Sequence, residues 1–203
     1  MARTFTTTPG VKTLYSGWAG VLAVAGFSGC AFAPQVVVVS PKVDVPVSRV
    51  GADRALGLTI VDERPRQTLG TRGVRGVGAE LTVQGDLRTI VETALLEGLA
   101  KQSFKAKAGQ GADGRDLRVE IRNLDYTLIQ GFWAGTLRVD IGLEANCVRG
   151  DQRRYEQLHR GEFVESVQVV QGPEANNAYI SQAVSGAVNS LLKDEKLIAC
   201  LSG

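Results

Sequence analysis

The chain has 203 residues, of which 44% are hydrophobic and 22% charged, and its formal net charge at pH 7 is +2. That excess of positive charge lies in the first 29 residues, so the 174 residues that follow carry 21 basic and 21 acidic side chains. This neutral balance argues against a nucleic-acid-binding surface, which needs clustered basic residues. A chain of 174 residues is long enough to bury the core of one domain.

Residues 1–29 are typical of a lipoprotein signal peptide. Positive charges at Arg3 and Lys12 precede an apolar run over residues 18–27, and small residues then lead directly to Cys30. The apolar run has half of the about 20 residues that a transmembrane helix needs, so a membrane-spanning anchor is not predicted. A plain soluble secretory protein with a chance cysteine at this position is the alternative.

Cys30 is therefore the predicted lipidation site and the first residue of the mature protein. Its thiol can be alkylated with diacylglycerol, and each buried CH₂ of an acyl chain contributes about 0.8 kcal/mol, so that two chains anchor a protein stably. Lipoproteins held in the inner membrane often carry Asp after this cysteine, whereas here the next residue is Ala31. We therefore predict an outer-membrane protein that faces the periplasm.

Residues 30–55 are predicted to form a lipidated tether and a partly extended arm. Four consecutive valines at 36–39 favour a strand that pairs with a sheet edge, although prolines punctuate the segment. A clearer strand over residues 56–62 ends at an Asp-Glu-Arg-Pro turn with local ion pairing. The glycine-rich residues 70–78 predict a mobile surface loop, and no Gly-Lys-Ser/Thr follows that would make it a phosphate loop. A short strand at 80–83 comes next.

Two helices with matching apolar stripes bracket a predicted β-meander within residues 56–203, which we predict to be a single periplasmic domain. The first helix begins after the cap residue Asp86, and the second begins at Asn176 or Asn177, whose side chains can accept a backbone N–H. A bulge is predicted near Asn123, where the alternation of apolar residues changes phase. The pattern predicts an α+β two-layer sandwich, with an antiparallel sheet of four to five strands and both helices on one face.

Residues with catalytic or metal-binding chemistry are few and scattered. The one histidine, His159, lies in a predicted strand without Cys or Glu at metal-ligand spacing, so we expect it at the surface. The adjacent acids Asp62 and Glu63 point to opposite faces of a strand and do not form a catalytic pair. No Gly-x-Ser-x-Gly elbow is present. We predict no enzymatic activity, no metal and no cofactor.

Two cysteines and two aromatic residues leave alternatives open. Once Cys30 is acylated, Cys147 and Cys200 are left, and in an oxidising compartment they either form a disulfide or stay as separate thiols. Phe132 and Trp133 lie between glycines at a predicted hairpin turn. They either fold back over the core or serve as a contact for a partner protein or lipid.

Four segments of the chain resemble the YajG-like bacterial lipoproteins. They are Val61-Asp62-Glu63-Arg64, Thr68-Leu69-Gly70-Thr71-Arg72, Gly85-Asp86-Leu87-Arg88 and the second helical stripe from Ile180 to Leu192. The resemblance covers nearly all of the mature chain. It implies an outer-membrane lipoprotein that faces the periplasm and has no established catalytic activity, and it transfers no active-site residues.

The leading functional hypothesis is a non-enzymatic, lipid-anchored accessory protein that binds a protein partner in the cell envelope. The alternative is a protein that binds a small envelope ligand, such as a lipid or a peptidoglycan fragment, in a pocket between the helices and the sheet. A closed core at that layer would argue against the alternative.

Overall fold

The computed structural model describes residues 33–74, 77–111, 114–131, 134–168 and 171–203. The predicted signal peptide and Cys30 lie outside these ranges. Within them the chain forms eight strands and three helices. The strands are β1 (Gln35–Val37), β2 (Ala55–Asp62), β3 (Gly70–Val74), β4 (Val77–Val83), β5 (Lys105–Ala108), β6 (Arg115–Gln130), β7 (Gly135–Arg149) and β8 (Gln152–Val167); the helices are α1 (Leu87–Lys101), α2 (Pro173–Leu192) and α3 (Glu195–Ser202).

The larger sheet has five strands in the order β5-β2-β6-β7-β8. β6, β7 and β8 form the predicted antiparallel meander, but β2 runs parallel to both β5 and β6, so the prediction of a wholly antiparallel sheet is wrong. The reason is the connection: the chain leaves β2 and returns to the sheet only after α1, and a crossover that contains a helix brings the chain back in the same direction. The bulge predicted near Asn123 is confirmed by a register shift between Ile121 and Asn123.

Both long helices pack on one face of this sheet, as the apolar stripes predict. α1 lies against β2, while α2 lies against β7 and β8. Alternate residues of β7 are completely buried beneath the helices, and they are Leu137, Val139, Ile141, Leu143, Ala145 and Cys147. The third helix, α3, was not predicted. Its cap Asp194 accepts the backbone N–H groups of Lys196 and Leu197, and its buried residues Leu197 and Leu201 extend the core.

The glycine-rich stretch is a β-hairpin rather than the predicted loop. β3 and β4 pair antiparallel, and β1 pairs parallel to β4 to complete a smaller sheet in the order β1-β4-β3, which confirms that the valine-rich arm joins a sheet edge. Gly70 has φ of 152°, and a Cβ there would lie 2.2 Å from the carbonyl oxygen of Tyr126. Glycine is therefore needed here because two backbones come close together, which composition alone cannot distinguish from a flexible loop.

The two helix starts have different outcomes. Asp86 caps α1 as predicted, and its side chain accepts the backbone N–H of Arg88. α2 begins earlier than predicted, at Pro173 after Gly172, and no side chain caps it. Proline suits the first helical position because its φ is already helical and its missing N–H would have no partner there. None of the described helices has the length and apolar character that a membrane-spanning helix requires.

Candidate functional site

The segment of chain nearest to Cys30 is fastened along the whole length of α2. Residues 38–44 run extended beside the helix, and every second backbone N–H donates to a side chain on every fourth helical residue. These four hydrogen bonds, here called the polar ladder, join Val38 N to Asn177 Oδ1 (2.9 Å), Ser40 N to Ser181 Oγ (2.9 Å), Lys42 N to Ser185 Oγ (2.8 Å) and Asp44 N to Asn189 Oδ1 (2.8 Å). The spacing fits because two extended residues advance about 6.6 Å and four helical residues about 6.0 Å.

The other face of this arm is part of the core. Val37, Val39 and Val45 are buried and alternate with the residues that bear the ladder N–H groups. The Nζ of Lys101, the last residue of α1, donates to the carbonyl of Val43, and the backbone of Ser48 donates to the carbonyl of Lys101. The arm is therefore held from both helices.

A buried polar cluster fixes the start of the arm. Gln35 Oε1 accepts hydrogen bonds from Arg72 Nη1 (2.6 Å) and Asn176 Nδ2 (2.9 Å). Tyr126 donates to Asn176 Oδ1 at 3.2 Å. Burial raises the pKa of Tyr126 to about 12, so its hydroxyl keeps the proton that this bond needs. Asn176, predicted as a helix cap, instead joins the arm, the helix and β6.

A groove of about 400 Å³ opens between the arm and α2. Its lining residues include Ser40, Lys42, Asp44, Ser181, Gln182 and Asn189. The side chains of Ser181 and Asn189 already accept ladder hydrogen bonds, whereas Ser40, Lys42 and Asp44 join the ladder through their backbone N–H groups. The described residues contain no group of three His, Cys, Asp or Glu side chains that could hold a metal ion.

His159 is buried, contrary to the surface position predicted for it. Its side chain lies under α2 with 2% of the residue exposed, and Nδ1 is 3.3 Å from the Oγ of Ser190. Nε2 lies 3.0 Å from the hydroxyl of Tyr155, which donates in turn to Asp194 Oδ2 at 2.8 Å. The prediction was wrong because α2 covers this part of β8, and the position of a helix so distant in sequence is not visible in the strand pattern.

This chain of hydrogen bonds lacks the geometry of a catalytic triad. In a Ser-His-Asp triad the carboxylate orients the imidazole directly, whereas here Tyr155 stands between His159 and Asp194. Burial lowers the pKa of His159, although the carboxylate of Asp194 acts in the opposite direction, so the imidazole is neutral at pH 7. A buried neutral imidazole packed under a helix can bridge β8 and α2 but offers no surface to a substrate.

The face of the large sheet opposite the helices carries a lattice of cross-strand ion pairs. Arg122 Nε binds Glu144 at 2.8 Å, and Arg122 also pairs with Glu63 and Glu120. Further along, Arg138 binds Asp140 at 3.2 Å and Glu162 at 3.0 Å, while Arg160 is 3.6 Å from Asp140. We call this surface of β6, β7 and β8 the open face.

The arginines of the open face stand above the acids that they bind. The side chains of Arg118, Arg122, Arg138 and Arg160 are 41% to 64% exposed. The acids between them, Glu120, Asp140 and Glu144, are only 12% to 19% exposed. The hydrogen bond from Arg122 lowers the pKa of Glu144, so this acid stays ionised near neutral pH. The open face is thus nearly neutral in total charge, and its most exposed charged groups are guanidinium groups, with Glu63 and Glu162 exposed to 34% and 45% beside them.

The end of β2 carries the local ion pairing that the sequence predicts. Arg64 donates to both carboxylate oxygens of Asp62, at 2.9 and 2.8 Å, and its hydrogen bond lowers the pKa of this acid. Glu63 points the other way and joins the open face by binding Arg118 and Arg122. The two adjacent acids therefore serve separate structural roles.

The remaining predicted site residues have different places. The structure joins Cys147 in β7 to Cys200 in α3, with 2.03 Å between the sulfur atoms and 6.5 Å between the Cα atoms. Phe132 and Trp133 lie outside the described residues, as Cys30 does. Contact or lipidation at these three positions stays a prediction.

Comparison with known proteins shows which family the chain belongs to. The model of a family described as uncharacterised lipoproteins matches residues 41–202. The chain belongs to that lipoprotein family. The match confirms the YajG-like resemblance, and no curated protein matches this lipoprotein.

Three of the solved structures similar to this lipoprotein come from bacterial species. A DUF330 protein from Xanthomonas campestris is 14% identical, covers 79% of this chain and 91% of its own, and has a TM-score of 0.50. A Helicobacter pylori protein described as a neuraminyllactose-binding hemagglutinin homologue is 10% identical, with coverages of 79% and 96% and a TM-score of 0.48. A minor lipoprotein from Acinetobacter baumannii is 12% identical, with coverages of 69% and 91% and a TM-score of 0.40. At 14% identity, the likeness to the Xanthomonas protein shows the fold alone.

The segments that carried the family resemblance are structural in this lipoprotein. Asp62 and Arg64 lock the end of β2, and Leu69 and Gly70 bring the next strand against β6. The polar ladder was missed, although its helical half is a legible signal: Asn177, Ser181, Ser185 and Asn189 recur at every fourth residue on the polar side of the second helix.

Proposed function

We propose that this lipoprotein is a non-enzymatic accessory protein of the cell envelope that binds a protein partner through the open face of its sheet. In this proposal residues 1–29 are removed as a signal peptide and diacylglyceryl-Cys30 anchors the protein in the outer membrane. The single domain that follows then faces the periplasm. Membership of a lipoprotein family supports the anchor.

The open face is the observation that carries the partner. α1 and α2 pack on the other side of the sheet, and no described helix covers the three long strands here. Strands of about 15 residues extend about 50 Å, and three of them span about 14 Å, which gives a surface of about 700 Å². A standard protein interface buries about 800 Å² per partner.

The charge arrangement indicates which partner chemistry this face fits. Arg118, Arg122 and Arg138 already donate hydrogen bonds to neighbouring carboxylates, so these side chains are partly ordered before a partner arrives and less conformational entropy is lost on binding. Guanidinium groups offer paired N–H donors that match carboxylates. The expected partner is therefore a folded envelope protein whose contacting surface carries Asp and Glu side chains.

Crosslinking in intact cells tests this proposal. A photoreactive residue is placed at Thr127 or Leu158 on the open face, or as a matched control at the exposed Thr93 on α1. One dominant envelope protein should crosslink from both open-face positions but not from Thr93. Equal crosslinks from all three positions, or none from the open face, would contradict the proposal.

The anchor needs its own test, because the partner could be recovered without it. Mass spectrometry of the mature N-terminus should find an acylated Cys30, and Cys30→Ser should abolish both acylation and cosedimentation with membranes. Unchanged processing and sedimentation of Cys30→Ser would refute the lipid anchor.

The second candidate function is the binding of a small envelope ligand, and its candidate site is the groove beside the arm rather than the layer between the helices and the sheet. Among the described residues, apolar side chains of the helices and the sheet pack into one buried core cluster, which argues against a pocket in that layer. The groove beside the arm, about 400 Å³, is within the usual range of ligand sites. Native mass spectrometry of the purified protein that shows a retained ligand, lost in Gln182→Trp, would favour this candidate.

A further inference from the structure

The directions of three elements fix which end of the domain lies nearest to Cys30. α2 runs antiparallel to β8, because Phe163 stacks on Tyr179 with ring centroids 4.4 Å apart, whereas His159 meets Ser190 further along the helix. The arm runs parallel to α2, as the polar ladder shows. The chain before Gln35 therefore emerges beside the first turn of α2.

Other elements end at the same place. Val167, at the end of β8, pairs with Gly135, which follows the turn between β6 and β7. We define the anchor end as the start of β1, the first turn of α2, the β6–β7 turn and the end of β8. The β7–β8 turn at Gly150 lies at the opposite end, about 47 Å away along β7.

Too few residues separate Cys30 from β1 to change which end of the domain lies nearest to the lipid anchor. Only residues 31–34 separate Cys30 from β1, and five steps of extended chain reach about 17 Å at most. The sulfur of Cys30 thus lies within about 20 Å of Gln35 in any conformation of the tether. The arm cannot extend this reach, because the polar ladder holds residues 38–44 against α2.

The anchor end also exposes apolar side chains that suit a bilayer surface. Val36 in β1 and Ile129 near the end of β6 are 58% and 59% exposed. The sequence carries Phe132 and Trp133 between Gly131 and Ala134, the two residues that close the β6–β7 turn with a backbone hydrogen bond of 2.9 Å. Aromatic residues are enriched where a protein meets lipid headgroups.

We propose that the anchor end rests on the bilayer that holds the acyl chains, with the β6–β7 turn in the headgroup region and the β7–β8 turn directed away from the membrane. This inference rests on the proposed lipid anchor at Cys30. It assigns the turn of Phe132 and Trp133 to lipid and leaves the open face, which then stands beside the membrane, to the protein partner.

Site-directed spin labelling tests the orientation. The acylated mature protein carries a single label at Ile129→Cys or Ser166→Cys at the anchor end, or at Asp151→Cys at the far end as the control. It is reconstituted in vesicles of phosphatidylethanolamine and phosphatidylglycerol. Collisions with membrane-soluble oxygen, relative to those with a water-soluble nickel chelate, should be several-fold more frequent at the two anchor-end labels than at position 151.

The outcomes distinguish failure of the proposed orientation from failure of the proposed lipid anchor at Cys30. A missing acyl mass on the N-terminal peptide of the same sample would refute the anchor itself. Acylation with equal water exposure at positions 129 and 151 would overturn the orientation alone. Protection of position 129 in native envelopes but not in protein-free vesicles would show that a protein covers the turn, and it would also overturn the inference.

Discussion

Removal of the covalent link between Cys147 and Cys200 should lower the free energy of unfolding by a large fraction of its total. The bond closes a loop with a sequence separation of 53 residues, from β7 through β8 and α2 to α3. In the chain-entropy account, such a loop restricts the unfolded chain by about 14 cal/mol/K, which is about 4 kcal/mol at 25 °C. Domains of this size are stable by about 5–15 kcal/mol, so the loss would be severe.

Urea denaturation followed by circular dichroism measures this loss. With a slope of about 2 kcal/mol/M, a loss of about 4 kcal/mol moves the midpoint down by about 2 M when the protein is reduced. The double variant Cys147→Ala/Cys200→Ser should unfold at the reduced midpoint and should not respond to reductant. Both thiols are removed in this variant, so no free buried cysteine confuses the comparison.

A small effect would refute the reasoning. If reduction moves the midpoint by less than about 0.5 M, or about 1 kcal/mol, the loop does not constrain the unfolded chain as calculated. Titration of two free thiols in the denatured but unreduced protein would refute the bond itself. The first result concerns the energetics and the second the covalent structure.

Three further predictions concern the contacts of α2. Ser181→Ala/Ser185→Ala removes two ladder acceptors, so the free energy of unfolding should fall by about 1–3 kcal/mol and the arm amides should exchange faster with solvent; unchanged exchange would contradict the ladder. Gly161→Ala should destabilise by about 1–3 kcal/mol or more because its Cβ would lie 1.9 Å from a carbonyl oxygen of α2, whereas Gly186→Ala on the facing helix meets ordinary contact distances and should be neutral or stabilising. Burial keeps the pKa of His159 in the folded protein below its ordinary value of 6.5, so the unfolded chain binds the proton more tightly. The contribution of His159 to the free energy of unfolding should therefore be fully present above pH 6.5. It should be lost as the pH falls through the folded-state pKa. His159→Gln should remove that part of the pH dependence in urea titrations, and an unaltered slope would show that another group causes it.

Periodicity predicted the elements whose burial is decided locally. β2, β6, β7 and β8, together with the stripes of α1 and α2, follow the sequence pattern because one face of each meets the common core. The bulge at Asn123 was legible for the same reason, since an extra residue in one strand shifts the side chains that follow it to the opposite face.

Elements that depend on distant parts of the chain were not predictable in this way. The hairpin of β3 and β4 looks like a loop because Gly70 is required by the backbone of Tyr126, a partner more than fifty residues away. His159 looks exposed until α2 is laid over it. Asn176 resembles a helix cap, but its side chain donates a hydrogen bond to Gln35, which lies 141 residues earlier in the chain.

Two short elements, β5 and α3, were not predicted by hydrophobic periodicity. β5 has the sequence Lys-Ala-Lys-Ala and is held as a strand by its parallel pairing to β2 rather than by an apolar face. α3 has only eight residues, and its place depends on the core beneath Leu197 and Leu201 and on the bond to β7. Neither has a local signal as strong as its tertiary contacts.

The polar ladder also sets an order of events in the life of the chain. Each rung joins residues 139 to 145 positions apart, so the arm is synthesised well before its partners on α2. At about 5–20 residues per second, the ribosome needs about 7–28 s to make up that difference. Until then residues 38–44 lack their ladder partners on α2, and enzymes that require an unfolded, extended substrate can act on this segment. Once α2 forms, that period of access closes.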